Sequence, residues 1–211
     1  MSGPTRQELR AALVARQGER RTRLLEAATV AVCGLGGLGS AVALMLARSG
    51  VGRLLLFDFD EVDISNIHRQ QYLPGQVGMT KFDALTRNLR LLMLGTEVGG
   101  QAVRLTEDNI LPLLSPADVV IECFDDADAK AMLVDAVLSR LPTVPVIAAS
   151  GMAGLGDGNE IVTRRLGRRL WVCGDGDSDV SDQGTLYCPR VQLCAAHQAL
   201  TAVRLLCEAE Q

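Results

Sequence analysis

The feature that most constrains the fold of this chain is a glycine-rich turn between an apolar strand and an apolar helix. The segment Thr29–Cys33 predicts a buried strand, and residues 40–48, closed by Gly50, predict the helix. Between them stand four closely spaced glycines: Gly34, Gly36, Gly37 and Gly39. Glycines at this spacing permit a tight turn and bring phosphate close to the free N–H groups of the helix. The context therefore predicts a nucleotide site, and a turn that merely requires glycine is the alternative.

Strands and helices alternate along the middle of the chain. Further strands are predicted at 53–57, 97–105, 117–123 and 144–150, and helices at 79–94, 107–114 and 127–140. This alternation is typical of a doubly wound, mostly parallel α/β sheet of the Rossmann-like kind.

The two ends of the chain depart from this alternation. A capping box at Thr5 and a break at Gly18 predict two short N-terminal helices. After residue 150, two strands at 160–166 and 169–173 are expected to be antiparallel, and 174–185 is expected to be a mobile acidic loop. Pro189 then opens a last helix, which is expected to end near Glu208.

Composition narrows the classes of protein that fit. The 211 residues suit a single domain, and the net charge of −4 does not favour nucleic acid as a partner. The sequence contains no apolar run of membrane-spanning length and no signal-peptide core, so no membrane partner is expected. None of the six cysteines forms a Cys-x-x-Cys pair, which argues against structural zinc and favours a reducing, cytoplasmic location.

A polar stretch after the second predicted strand indicates what the turn binds. Asp58 lies 19 residues after Gly39, where an acidic residue binds ribose hydroxyls. Asn66, Arg69 and Lys81 follow, and two cations with an amide suit a polyphosphate better than a hydride-transfer pocket. A nicotinamide dehydrogenase remains the fold-level alternative.

Several longer motifs resemble the ThiF/MoeB/HesA group, the ubiquitin-activating-enzyme-like adenylyltransferases. The glycine turn continues as Gly-Ser, and the polar stretch reads Asp-Phe-Asp…Ser-Asn…Arg-Gln, followed by Gly78-x-x-Lys81 and by an Asp after the fourth strand. The run 148–154 and the segment 189–199 resemble the short, divergent ThiF branch associated with thiamine biosynthesis. The similarity extends over roughly residues 10–207.

This resemblance implies an activity and a set of partners. The carboxylate at the C-terminal glycine of a ThiS-like, ubiquitin-fold sulfur carrier would attack the α-phosphate of ATP, with Mg²⁺ bound, and pyrophosphate would leave. A homodimer is implied as well. The chain would then be one adenylation domain over 1–211, with a helical arm at 1–27, a nucleotide-binding part at 28–150 and a carrier-binding and dimer part at 151–211.

The resemblance also implies residue roles. The four glycines would cradle ATP, and Asp58 would bind the ribose. The catalytic residues would be Arg69 and Lys81 on the phosphates, Asp125 on the metal, and Arg16, which would reach the partner's ATP. Asp60 and Asn66 would belong to the same nucleotide site.

Four questions stay open at this level. The alternative role of Arg69 is an ion pair with Asp60 or Asp63. For Lys81 and for Arg16 the alternative is a solvated residue on a helix without a role in the site. Asp126 departs from the family pattern, as Glu122 does, and would either join the magnesium shell or cap a helix. Cys173 or Cys188 would either link to a carrier or be incidental. Finally, the acceptor would be a ThiS-like carrier, a molybdopterin-type carrier or another carboxylate, unless the chain is a non-catalytic scaffold.

Overall fold

The computed structural model describes residues 3–92 and 95–208, and these form one seven-stranded sheet flanked by helices. The strands are β1 (Thr29–Cys33), β2 (Arg53–Asp58), β3 (Glu97–Ala102), β4 (Val119–Glu122), β5 (Val146–Ala149), β6 (Val162–Leu166) and β7 (Leu170–Gly174). The helices are α1 (Arg6–Gln17), α2 (Glu19–Ala27), α3 (Gly37–Ser49), α4 (Lys81–Leu91), α5 (Ile110–Leu114), α6 (Ala127–Arg140), α7 (Val180–Gln183) and α8 (Cys188–Glu208).

The sheet confirms the predicted doubly wound architecture. Its strand order is β3-β2-β1-β4-β5-β7-β6. Neighbouring strands are parallel except for β6 and β7, which form the antiparallel pair expected near the C-terminus. The strands are added on one side of β1 up to β3 and then on its other side from β4 onward, so the strand order reverses between β1 and β4. Open α/β sheets bind ligands at such switch points.

Side chains of β1 alternate between two apolar cores on opposite faces of the sheet, as the two-residue period of a strand requires. Val30 and Val32 belong to the larger core, which packs against α3, α4 and α8. Ala31 and Cys33 belong to the smaller core under α5 and α6. Since β1 is covered on both faces, its mostly apolar sequence is explained by burial. No helix among the described residues is long and apolar enough to cross a membrane.

Three elements differ from their predicted bounds, and a local hydrogen bond explains the first difference. The helix predicted at 107–114 begins only at Ile110, because the Asn109 side chain accepts from the Thr106 N–H at 2.9 Å and forms a competing turn. The helix predicted at 79–94 is observed from Lys81 to Leu91, and its last two predicted residues lie outside the described ranges. The acidic segment 174–185, expected to be a mobile loop, contains α7.

Backbone contact at Gly52 joins α2 to the sheet, and it generates a stability prediction. A Cβ at Gly52 would lie 1.8 Å from the carbonyl oxygen of Glu26. We expect Gly52→Ala to lower the free energy of unfolding by about 1–3 kcal/mol, because backbone must move to admit the methyl group. Gly75→Ala is the control, since nothing lies within 4 Å of its Cβ position. Equal unfolding midpoints in urea for the two variants would contradict this account.

Candidate active site

A cleft of about 770 Å³ opens at the carboxyl ends of β1, β2, β4 and β5. The predicted site residues that line it are Gly34, Gly36, Gly37, Asp58, Asp60, Asn66, Arg69, Lys81 and Asp125. The structure therefore brings together residues that are up to 91 positions apart in the chain, between Gly34 and Asp125. Gly39 and Arg16 are the two predicted residues that do not line it.

The glycine turn presents free backbone N–H groups to this cleft. Gly34 has a φ of 90°, and its N–H donates to the Phe57 carbonyl at 2.8 Å. A Cβ at Gly34 would lie 2.7 Å from the Cys123 carbonyl oxygen, so both conformation and space require glycine. The N–H groups of residues 36–39, at the start of α3, donate to no protein group within the described ranges. Together with the helix dipole, they form a site suited to an anion.

Gly39 shapes the turn from behind. A Cβ at this position would lie 1.8 Å from the Gly34 carbonyl oxygen. Glycine therefore allows the first turn of α3 to approach the end of β1 closely. The next residue, Ser40, receives a hydrogen bond from the Gln71 N–H at 3.1 Å, which fastens the polar segment 60–71 to the same helix.

Asp58 is a buried carboxylate that connects the glycine turn to β2. It accepts from the Leu35 N–H at 2.6 Å and from the Asp60 N–H at 2.8 Å, and it is only 7 % exposed. Burial raises the pKa of its carboxyl, while nearby Lys81 and the two N–H donors act in the opposite direction. Its place at the end of β2 is the one predicted for ribose recognition.

Lys81 enters the cleft from the first residue of α4. Its Nζ lies 2.6 Å from Asp60 Oδ2 and 3.9 Å from Asp58 Oδ2, and the residue is 6 % exposed. The alternative of a solvated lysine is therefore excluded. The Tyr72 hydroxyl donates to the Leu35 carbonyl at 2.7 Å, and burial, with both aspartates nearby, raises its pKa.

Arg69 is oriented by a neutral partner. Its Nη2 donates to Asn66 Oδ1 at 2.7 Å. The alternative of an ion pair with Asp60 or Asp63 is not observed, because Asp60 pairs with Lys81 and Asp63 accepts from the Ser65 N–H. Since an amide leaves the guanidinium charge uncompensated, Arg69 is suited to bind an anionic group.

The turn after β4 offers one carboxylate to a metal ion. Asp126 is used as the N-cap of α6, where it accepts from the Ala129 N–H at 2.8 Å. Asp125 is exposed to the cleft and has no hydrogen-bond or ion-pair partner among the described residues. Residues 3–92 and 95–208 contain no cluster of three or more His, Cys, Asp or Glu side chains that could hold a metal ion. Mg²⁺ is commonly held by one or two carboxylates together with phosphate and water, so Asp125 fits such an ion.

A buried ion pair beneath this turn was not identified from the sequence. Glu122 is fully buried, and Lys130 Nζ donates to its two oxygens at 3.1 and 3.0 Å and to the Ala149 carbonyl at 3.2 Å. Glu122 Oε1 also accepts from the Phe124 N–H at 2.6 Å, which shapes the turn carrying Asp125. Burial raises the pKa of the Glu122 carboxyl, and Lys130 opposes this rise. Glu122 ends β4 and Lys130 lies eight residues later in α6. Because the two residues are in different elements, no helix or strand spacing in the sequence indicates that they pair.

A second unpredicted feature lies at the mouth of the cleft. The Arg104 guanidinium is stacked 3.7 Å from the centre of the Phe59 ring, and both residues line the cleft. Phe59 is 49 % exposed, which is unusual for a phenylalanine next to a buried strand. The pair therefore offers a flat surface close to Asp58.

The remaining candidates lie outside the cleft. Arg16 is exposed on α1. Cys173 is fully buried, and burial raises the pKa of its thiol, which argues against a nucleophilic role. Cys188 is half-buried at the start of α8, so it is the more accessible of the two cysteines considered.

The strand order and the glycine turn define this protein as a Rossmann-like α/β protein with a site for a nucleotide. The chain belongs to the ThiF family, whose sequence profile matches residues 8–210.

Two kinds of curated relative share part of the sequence. Adenylyltransferase and sulfurtransferase MOCS3 of Anopheles gambiae is 41% identical over 122 residues, which cover 57% of this chain and 28% of that protein. Ubiquitin-like modifier-activating enzyme 5 of Xenopus laevis is 36% identical over 114 residues, which cover 48% of this chain and 29% of that protein. The matched region thus spans less than a third of either relative.

Solved structures share the fold over a longer range. E. coli tRNA N6-threonylcarbamoyladenosine dehydratase, TcdA, in complex with ATP, has a TM-score of 0.84 at 22% identity and covers 97% of this chain and 95% of that one. E. coli MccB has a TM-score of 0.72 at 20% identity and covers 91% of this chain and 60% of that one. At these identities the likeness establishes the shared fold.

The Glu122–Lys130 pair generates a stability prediction. We expect Lys130→Met to lower the free energy of unfolding by about 3 kcal/mol, because it leaves a buried carboxylate without its cation. Glu122→Gln combined with Lys130→Met should recover most of this loss. Urea unfolding of the two variants and the unsubstituted protein measures both effects.

The pH dependence of Lys130→Met separates charge from packing. Without Lys130, only the N–H groups of Phe124 and Ala149 oppose the effect of burial, so the raised pKa of Glu122 rises further. The loss relative to the unsubstituted protein should therefore be largest where Glu122 is ionised and should shrink as the pH falls from about 8 to about 5. A loss that is the same at both pH values would show that lost packing, not charge, is responsible.

Proposed function

We propose that this chain is an ATP-dependent adenylyltransferase that activates the C-terminal carboxylate of a ubiquitin-fold sulfur carrier of the ThiS type. The observation that carries the proposal is the arrangement of donors in one cleft. Free amides at the start of α3, the Arg69 guanidinium and the Lys81 ammonium all face a common space. The Asp125 carboxylate, which has no partner in the described part of the chain, lines the same space. This set suits a triphosphate with a metal ion better than a hydride-transfer pocket.

The reaction needs alignment and charge neutralisation more than covalent chemistry by the protein. A carboxylate oxygen of the acceptor forms a bond to the α-phosphorus of ATP. The bond from that phosphorus to the bridging oxygen breaks, and its electron pair leaves with pyrophosphate. The product is an acyl-adenylate, and no proton is transferred. Holding both reactants in line supplies most of the rate gain in such a step.

The two cations are held in different ways, which suggests different roles. Arg69, oriented by a neutral amide, is available for phosphate oxygens without breaking an ion pair. Lys81 must shift from Asp60 to reach a phosphate, and Asp58, 3.9 Å away, remains nearby when it does. A bound Mg²⁺ would neutralise phosphate charge, and Asp125 is the residue that would hold it.

The nature of the acceptor rests on motif resemblance and on the names of relatives. The segments 148–154 and 189–199 resemble the ThiF branch of thiamine biosynthesis. Two relatives are named as an adenylyltransferase and as an activating enzyme of a ubiquitin-like modifier. We assign nucleotide binding to residues 28–150 and carrier binding and dimer contacts to residues 151–211. The N-terminal arm, residues 1–27, would contribute Arg16 to the ATP site of the partner subunit.

The proposed activity is tested with ATP, Mg²⁺ and purified carriers ending in Gly-Gly. We expect ATP–pyrophosphate exchange and a carrier heavier by one AMP with a ThiS-type carrier, and a loss of exchange of at least about a hundredfold for Arg69→Ala. Activity only with a molybdopterin-type carrier, or with another carboxylate, would show that the proposed acceptor is wrong and that the proposed adenylylation is right. Tight ATP binding without exchange on any acceptor would indicate a scaffold, and tight NAD binding instead would overturn the proposal.

Arg16 is proposed to act on the ATP of the partner subunit. It is exposed on α1 and does not line the cleft of its own chain. Arg16→Ala and Lys81→Ala should each be inactive alone. Mixing the two in equal amounts should restore about a quarter of the unsubstituted activity, because half of the dimers then contain one intact site. Exchange assays after mixing and re-equilibration measure this, and no recovery despite demonstrated subunit exchange would contradict the role.

A further inference from the structure

The cleft is closed at the carboxyl ends of β5 and β7 by two loops that bond to each other. We call residues 150–153 and 176–180 the distal wall, and every residue in both ranges lines the cleft. The Ala153 N–H, in the first loop, donates to Ser178 Oγ, in the second, at 2.9 Å. The distal wall is therefore one unit, although its two loops are more than twenty residues apart in the chain.

The distal wall lies away from the residues proposed to bind nucleotide. Asp58 ends β2 and the glycine turn follows β1, whereas the distal wall follows β5 and β7. In the strand order, β5 is three strands from β2, which corresponds to about 14 Å at about 4.8 Å per strand. Under the proposed function the acceptor carboxylate must enter the same cleft beside the nucleotide. The distal wall is the part of the cleft that remains for it.

One carboxylate organises the distal wall without lining the cleft itself. Asp175 Oδ1 accepts from the N–H groups of Asp177 and Ser178, both at 2.8 Å, and Oδ2 accepts from Ser178 Oγ at 2.7 Å. The Asp175 N–H donates to the Gly151 carbonyl at 3.0 Å. A Cβ at Gly151 would overlap Asp175 Oδ1, so the carboxylate packs directly against the first loop. Asp175 thus sets the shape of the second loop and its position against the first.

Arg190 holds this carboxylate from the first turn of α8. Its guanidinium forms ion pairs with Asp175 and, at 3.4 Å, with Glu160 Oε2, and its Nη1 donates to the Asp157 carbonyl at 2.9 Å. The residue is only 5 % exposed and does not line the cleft. A buried ion pair adds little stability over an apolar pair of similar volume, whereas the planar fork of a guanidinium fixes the groups that it bonds. The pair is therefore better suited to fixing a geometry than to stabilising the fold.

We infer that Arg190 and Asp175 are positioning residues for the acceptor, because their buried ion pair holds the distal wall in the geometry that binds the acceptor segment next to its reactive carboxylate. This inference rests on the proposed function. Both residues act through the distal wall, which lies apart from Asp58 and the glycine turn. Loss of the pair should therefore weaken acceptor binding and leave ATP binding unchanged.

The inference is tested by measuring the affinities for the two substrates separately. The acceptor is the purified carrier that the unsubstituted protein adenylylates, at a temperature where every variant is folded. Arg190→Met should raise the KM for this acceptor about tenfold, because the distal wall is no longer held in place. Its Kd for ATP, measured by calorimetry without acceptor, should equal that of the unsubstituted protein. Arg190→Lys keeps the charge that pairs with Asp175, so it should recover part of the loss.

Arg169→Met is the matched control. Arg169 precedes β7, at the end of the strand opposite the cleft. Its guanidinium donates to the carbonyls of Leu138, Leu141 and Val144 at 2.6 to 2.9 Å. The control therefore removes another arginine that holds backbone segments together. It should lower the thermal unfolding midpoint and leave the KM for the acceptor unchanged.

The comparison of KM with Kd decides the outcome. A raised KM at an unchanged ATP Kd, for Arg190→Met and not for Arg169→Met, supports the inference. An unchanged KM, an ATP Kd that rises by the same factor, or an equal effect of Arg169→Met overturns it. If Arg190→Met does not fold, Asp175→Asn, which removes the charge and keeps the shape, is judged by the same criteria. Failure of the unsubstituted protein to adenylylate any acceptor would overturn the proposed function, and the inference with it.

Discussion

The close approach of α3 to the end of β1 is the constraint on which the rest of the site depends. Gly39 lies against the Gly34 carbonyl at a distance that leaves no room for a Cβ. Because the helix begins there, its first N–H groups lie at the cleft and have no acceptor among the described residues. The Ser40 side chain then fastens the segment containing Arg69 to the same helix. One contact between two glycines thus sets the position of both the amide cradle and its neighbouring cation.

The charges around the cleft are balanced so that only some remain available. Lys81 is paired with Asp60, and Lys130 is paired with the fully buried Glu122. Arg69 differs, because a neutral amide orients it and leaves its charge uncompensated. Burying a paired lysine costs less than burying a free one, so the pairs allow cations to stand in a site with little solvent. An anionic ligand beside the glycine turn therefore meets the Arg69 guanidinium without breaking an ion pair, whereas Lys81 must exchange partners.

Local sequence signals predicted the fold more completely than the site. The bounds of β1 and α6 match the prediction, since an apolar run and a capping Asp126 mark them locally. The contact between Glu122 and Lys130 depends on how separate elements pack together. For Asp126 the sequence left two roles open, and the N-cap bond to Ala129 selects one.

Under the proposed function, the metal site is incomplete until nucleotide binds. With Asp126 committed to the helix, Asp125 is left as a single carboxylate for a metal ion, and one carboxylate is a weak site for Mg²⁺ alone. Phosphate oxygens would supply the metal ligands that the protein lacks. Metal and nucleotide should therefore bind as one unit. The protein then gains by preorganising donors in advance, since it avoids the cost of assembling them during the reaction.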